Sequence, residues 1–491
     1  MNITGQKLKI NLAPFLVLLL LVAQVSFAQK TVIKSTKDEK KVFITRNSTK
    51  HNHSKIGLNS FNIEYEGEIE VTDDDKDIKS ISSGGYIEIS KTNFGSKREV
   101  FIESAAGGTL KKSYYEGRTK VEWEPAGRKW LAEILPDIVR STGIAAKSRV
   151  DRFYRKGGTE AVLDEIEELE GSWVVSTYTK LLLQKDNLSN RDLKNIMETI
   201  TEVLESDYYM AEILKDNSQR FLSNNETAET YVEVVSTIDS DYYAAVALKS
   251  ALDHENLSPS VLTKIMEASK SIDSDYYQAT LLSKALERDD LDGELLAEVI
   301  KSTRDIGSDY YQAQILAKAM ENDELSATSF NSLLEAVSDV SSDYYMASVF
   351  SKLADNRLED EVVVKIVDLV NNKMSSDYYA SVVLAKLMAE QELSSQSMGE
   401  IADGIGNLNS SHYASSVIKK ISSNDNLSKE NLLSLIKAID KIDSDFYKSS
   451  ALESIAPMVK RSTSDVQDAY RAVAKNISSN TYYGKAMRAI D

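Results

Sequence analysis

Few of the residue types that do chemistry are available in this chain. Histidine occurs four times in 491 residues and cysteine is absent, which excludes thiol catalysis, a thiolate zinc site and a disulfide framework. His51-Asn52-His53 offers two imidazoles to a metal, but no third ligand stands near them and they read as a mobile pair in a polar stretch. Asp73-Asp74-Asp75 with Asp77 is rich enough in carboxylate to meet calcium, yet it lacks the glycine and glutamate spacing of an EF-hand and fits a turn. Asp290, Asp292 and Gly293 begin like such a loop, but Val299 holds the position where glutamate closes it. There is no Gly-x-Ser-x-Gly, no phosphate-binding Gly-x-x-x-x-Gly-Lys-Ser/Thr and no dinucleotide fingerprint. No residue is assigned a catalytic, cofactor-binding or metal-binding role. An enzyme would need a site assembled where the strand and helical regions join.

The chemistry that does recur is phenol and carboxylate. Ser-Asp-Tyr-Tyr places its second tyrosine at Tyr209, Tyr243, Tyr277, Tyr311, Tyr345 and Tyr379, each 34 residues after the last. Ser410-Ser411-His412-Tyr413 and Ser444-Asp445-Phe446-Tyr447 continue the register, and Asn480-Thr481-Tyr482-Tyr483 puts Tyr483 36 residues further on. Upstream, Ser172-Trp173-Val174-Val175 occupies the equivalent place. At 100° per residue each tyrosine falls at a margin of the apolar face, where a ring can pack while its hydroxyl stays wet. The second ring persists through the array, so Tyr209, Tyr243, Tyr277, Tyr311, Tyr345, Tyr379, Tyr413, Tyr447 and Tyr483 are read as repeat-structural. The first ring varies to His412 and Phe446, so Tyr208, Tyr242, Tyr276, Tyr310, Tyr344 and Tyr378 are the candidate partner-binding residues.

Two helices must carry each period. The motif serine is placed to cap the first, with the aspartate in its first turn facing the helix dipole. Ala279, Leu281, Leu282, Ala285 and Leu286 then form one apolar face. Leu257-Ser258-Pro259, Leu291-Asp292, Leu325-Ser326, Leu393-Ser394 and Leu427-Ser428 start the second helix, with proline in the favoured first position. Neither stripe is buried alone, so the pairs must stack. The fold class is mainly α: a right-handed α-solenoid of HEAT- or tetratricopeptide-like helix pairs, preceded by a small antiparallel β-domain. The tetratricopeptide signature itself is missing, which favours HEAT-like.

The organisation read along the chain begins with a signal peptide over 1–28. Lys7 and Lys9, the apolar run from Phe15 to Ala23, and Ser26-Phe27-Ala28 before Gln29 have the zones of a cleaved secretory signal, and the run is too short to span a bilayer. A lysine-rich polar linker is expected over 29–55, with a mobile first strand as the other reading of those residues. An antiparallel β-domain of five or six strands is expected over 56–124, with Gly84-Gly85 and Gly107-Gly108 at turns. A helical junction over 125–158 follows, its first helix stopped by Pro136 and its last pattern broken by Gly157-Gly158. The solenoid takes 159–491.

Charge divides the chain in the same place. Residues 30–160 hold 25 basic and 20 acidic side chains, whereas 161–491 hold 31 and 56, so the second part carries the difference, −25, in a chain of net charge −18, which argues against nucleic acid.

From about Phe61 onward the chain resembles uncharacterised bacterial exported proteins in which a strand segment and a Trp-Leu-x-x-x-Leu-Pro junction precede Asp-Tyr-Tyr repeats; here these are Trp130-Leu131 with Leu135-Pro136 and the repeats above. Similar segments look to be fused to membrane metallopeptidases of the beta-lactam-sensor type. This chain departs from them: His254-Glu255 is followed by Asn256, Leu257 and Ser258, so the His-Glu-x-x-His zinc motif is missing and that activity does not carry over.

The expectation is therefore an exported, periplasmic or secreted, non-catalytic binding or scaffold protein without a cofactor or membrane span. Its extended acidic surface would engage another envelope or secreted protein. The alternative is recognition of a glycan or cell-wall ligand by the exposed tyrosines.

Overall fold

The computed structural model describes residues 30–36, 41–46, 59–322, 326–391, 393–422 and 427–491. The expected signal peptide and the His51, His53 pair lie outside the described residues. The chain divides into two compact units, 1–156 with 168–174, and 157–167 with 175–491.

The first unit holds more strands than expected. β1 (Lys30–Thr36), β2 (Lys41–Arg46), β3 (Asn59–Glu66), β6 (Tyr86–Asn93), β7 (Ser96–Ser104), β8 (Leu110–Glu116) and β9 (Thr119–Val121) form one antiparallel sheet in the order β2-β1-β3-β6-β7-β8-β9. β4 (Ile69–Val71) and β5 (Ile78–Ile81) pair separately. The polar linker expected over 29–55 thus contains two strands. Val32, Ile33, Val42, Phe43 and Ile44 stand among lysines there, a composition that resembles a linker but also suits the edge of a sheet, where lysine discourages pairing with other chains.

α1 (Arg128–Thr142) packs on this sheet. Ile63, Ile87, Ile89, Val100, Ile102 and Tyr114 meet Trp130, Leu131, Leu135, Ile138 and Val139 in one core. The helix does not stop at Pro136 as expected. Interior proline costs roughly 3 kcal/mol through the lost N–H and the clash one turn back. Ile138 and Val139, both wholly buried, each return about 2 kcal/mol in the turn beyond it. Gly143, at φ 65°, ends the helix instead. In α2 (Ala146–Glu167) the backbone leaves helical geometry at Gly157 and Gly158, where the division between the units falls.

The second unit is a two-layer stack of helix pairs. The motif-bearing helices are Asp207–Asp216, Asp241–Leu252, Asp275–Ala285, Asp309–Ala319, Asp343–Leu353, Asp377–Glu390, Ser411–Ile421, Asp445–Arg461 and Asn480–Ile490. Each packs on the motif helix of the next repeat. The partner helices, from Asn190–Val203 through Asn225–Val235, Pro259–Ser269 and onward to Ser464–Ala474, form the second layer in the same way. From Leu296 to Ile490 one continuous apolar core runs between the layers, including Leu316, Leu333, Phe350, Ile366, Leu384, Ile401, Ile418 and Leu435.

The second helices are capped as their sequences imply. Ser326, Ser394 and Ser428 each accept the backbone N–H three residues on, and Pro259 sits in the first turn behind Ser258. The motif serines are not side-chain caps. Ser274 has ψ 110°, against 168° for Ser326, and none of the motif serines accepts a capping bond.

Candidate functional site

What replaces the missing cap is the motif aspartate of the preceding repeat. Asp207 Oδ2 accepts the N–H of Ser240 at 2.8 Å, and Asp241 accepts from Asp273 at 3.2 Å and Ser274 at 2.8 Å. Asp309 holds Ser341 and Ser342 at 3.0 and 2.8 Å, and Asp343 holds Ser375 and Ser376 at 3.1 and 2.7 Å. Asp377 and Asp445 do the same for Asn409 with Ser410 and for Ser478 with Ser479. In a capping box a glutamate in the third helical position binds the N-cap N–H of its own helix. Here a carboxylate one repeat earlier takes that place, so each repeat finishes the helix start of the next.

A second set of bonds ties the opposite ends. Arg288 donates to the carbonyls of Leu252 and His254 at 2.7 and 2.8 Å, Arg220 to those of Leu183 and Lys185, and Gln391 Nε2 to those of Ala354 and Asn356. These side chains satisfy carbonyls left open where the preceding motif helix ends. Sequence reading missed them because the donor changes in identity and in register, Arg220 and Arg288 standing 12 residues after the first tyrosine and Gln391 13.

The tyrosines form a chain of edge-to-face contacts. Within a motif the ring centroids lie 4.9 Å apart for Tyr208 with Tyr209 and 5.2 Å for Tyr276 with Tyr277. Each first ring also meets the second ring of the next repeat: Tyr208 with Tyr243 at 5.9 Å, Tyr242 with Tyr277 at 5.7 Å, Tyr276 with Tyr311 at 6.1 Å, Tyr310 with Tyr345 at 6.0 Å, Tyr344 with Tyr379 at 5.8 Å and Tyr378 with Tyr413 at 5.7 Å. His412 with Tyr447 and Phe446 with Tyr482 prolong it. In the last repeat the ring in register is therefore Tyr482. The expectation for Tyr483 counted 36 residues from Tyr447, but Asp445 binds Ser479 and fixes the helix start one residue earlier. Tyr483 packs on the core from the following position.

The two rings of a motif differ in surroundings. Tyr208, Tyr242, Tyr276, Tyr310, Tyr344 and Tyr378 are 45% to 55% exposed, whereas Tyr209, Tyr243, Tyr277, Tyr311, Tyr345, Tyr379, Tyr413 and Tyr447 are half-buried. The exposed rings are thus one per repeat, on the same helix position, in an unbroken row.

Charge beside the row is organised too. Eight residues after the first tyrosine, about 12 Å along the helix at 1.5 Å per residue, a lysine reaches a carboxylate of the preceding repeat: Lys284 to Asp253 at 2.8 Å, Lys318 to Glu287 at 2.9 Å, Lys352 to Glu321 and Lys386 to Asp355 at 2.6 Å. The bonds from Lys318 and Lys352 hold Glu287 and Glu321 below the usual carboxylate range. Those acids are already engaged. At the other end of the motif helices, Glu205, Asp239, Asp273 and Asp443 are exposed immediately before the N-cap serines.

In the first unit the Asp73–Asp77 loop is bound by cationic side chains. Arg149 and Arg152, both buried, converge on Asp75 at 2.9 and 2.8 Å, and Lys112 and Arg128 reach Asp77 at 2.5 and 3.0 Å. The two arginines, three apart on α2 around the buried Val150, were the available signal for this. His254-Glu255 lies just after a motif helix and provides the carbonyls that Arg288 binds.

No family model matches the chain, and no curated protein does. Among solved structures, a computationally designed self-assembling cyclic homooligomer is similar at 12% identity and TM-score 0.10, over 70% of this chain and 92% of that one. The exomer cargo adaptor complex is similar at 10% identity and TM-score 0.18, over 82% of each chain. A circular tandem repeat protein with enhanced subunit contact surfaces is similar at 10% identity and TM-score 0.16, over 75% and 78%.

Proposed function

We propose that this is an exported, non-catalytic binding or scaffold protein that holds another envelope protein along the row of first tyrosines. The observation that carries the reading is that row: half-exposed rings, one per repeat, each supported from below by two half-buried rings. Rigid aromatic side chains of this kind supply contact area at small entropic cost. The exposed carboxylates before the N-caps favour a partner with basic side chains on its flank. Export, to the periplasm or the medium, rests on the charged, apolar and small-residue zones of residues 1–28 and on the resemblance to exported Asp-Tyr-Tyr repeat proteins.

Capture from the native envelope with chemical crosslinking tests this, comparing wild type with Tyr276, Tyr310 and Tyr344 changed together to alanine. Loss of a reproducible partner from a variant that keeps its helical signal and melting behaviour supports the reading. Unchanged capture sinks it.

The half-exposed rings also favour a second reading, a linear glycan stacked along the row. Salt separates the two. A basic protein partner weakens as ionic strength rises, whereas ring stacking on a neutral sugar does not.

A further inference from the structure

The hairpin between β6 and β7 ends in a two-residue loop, because Asn93 pairs with Ser96. Its residues, Phe94 and Gly95, have φ of 46° and 86°. Two left-handed residues match the twist of the strands, and the pair favoured for this turn is Asn-Gly. Phenylalanine is a poor choice at the first position, where a bulky side chain at positive φ is a backbone outlier. Burial offers no compensation, since Phe94 is 81% exposed. Both the turn and the solvent disfavour the residue that stands there, and strain kept at an exposed position points to use.

The surroundings of Phe94 are basic. Lys91 lies opposite Arg98, and Lys97 opposite Thr92. The β8–β9 turn comes to the same end of the sheet: Arg98 pairs with Glu116, and the N–H of Gly117 donates to the carbonyl of Lys97 at 2.7 Å. That brings Arg118, and Lys120 opposite Tyr115, to the same end. Lys97 is engaged with Glu99, and Glu116 accepts from the Tyr114 hydroxyl, so Lys91, Arg98, Arg118 and Lys120 outnumber the one acid left without a cation among them.

We propose that this end of the sheet docks on an anionic lipid surface, with Phe94 entering the headgroup boundary and Lys91, Arg98, Arg118 and Lys120 facing the lipid phosphates. The charge argues for lipid of that sign, since each basic side chain at an anionic bilayer multiplies partitioning about fivefold. A single apolar insertion anchors weakly, and one insertion joined to a basic patch supplies the two signals that stable but reversible attachment needs. The proposal is independent of the tyrosine row.

Co-sedimentation of the full chain with phosphatidylcholine vesicles, with and without phosphatidylglycerol, tests it. Binding is expected only with phosphatidylglycerol, and it falls as salt is raised. Phe94→Asn is expected to weaken binding about tenfold while raising the thermal midpoint, because asparagine suits the turn, so lost binding is not lost folding. Phe94→Trp reports insertion directly, by a blue shift of its emission on the anionic vesicles. Absence of sedimentation, sedimentation indifferent to lipid charge, Phe94→Asn binding like wild type, or unshifted Phe94→Trp emission each overturns the proposal.

Discussion

Asp309 accepts the backbone N–H groups of Ser341 and Ser342, 32 and 33 residues later, at 3.0 and 2.8 Å. The two repeats joined by these bonds are therefore coupled from a side-chain carboxylate to a backbone as well as through their apolar faces. Asp309→Ala leaves two helix-start donors without their acceptor, and the expected loss is about 1–3 kcal/mol, the range for hydrogen bonds to a charged group. Denaturant midpoints at constant slope measure it. Amide exchange should show the change concentrated at Ser341 to Met346. A loss spread evenly over the array would count against the assignment.

The same place in the repeat beginning at Ser411 holds a serine, whose hydroxyl accepts only the N–H of Ser444, at 3.2 Å. Ser411→Asp should restore the carboxylate and stabilise the chain by about 1 kcal/mol. A lower melting temperature in the variant would contradict the latch as the reason for aspartate elsewhere.

Within one motif the two tyrosines should separate cleanly. Tyr345→Ala removes a half-buried ring that packs on the core and should cost about 2–4 kcal/mol. Tyr344→Ala removes a ring 55% exposed and should cost less than about 1 kcal/mol. Similar losses from both, measured in denaturant, would leave the exposed row without its distinct standing.

Asp465 gives a pH signature. The side-chain hydrogen bond from Lys429 draws its carboxyl down from 3.8 to about 2. A carboxyl depressed by folding adds stability above its unfolded value and loses it as the pH falls toward the folded one. This contribution thus disappears between roughly pH 4 and pH 2. Carboxyl resonances followed by NMR should place the Asp465 midpoint near 2 in the wild type and move it upward in Lys429→Met. A midpoint that stays put in the variant would remove Lys429 as the cause.

The repeat was plain from composition because its period is rigid: Tyr209, Tyr243 and Tyr277 recur at 34 residues, and the apolar faces behind them follow helical spacing. The difference in exposure between the two rings agrees with their variation, since a ring that varies to His412 and Phe446 is one whose surroundings tolerate variation. The role of the aspartate was not plain. Its nearest orphan donors in sequence belong to its own helix, and the ones it binds are a full repeat away. Pro136 misled because a local rule about helix interiors was outweighed by burial of Ile138 and Val139. Tyr483 misled because a count between rings is one residue out when the preceding loop lengthens, and only the bond from Ser479 to Asp445 sets the register. The strands β1 and β2 were hidden by their lysines.

The exposed rings make the array a ruler. If the proposed partner is stiff and its own period differs from the ring spacing, it would drift out of step by that difference at every repeat between Tyr208 and Tyr378. Each exposed ring is braced against its own repeat and the next. Bending the array at any one seam would disturb the ring contact that spans it, so the row is as stiff as its seams.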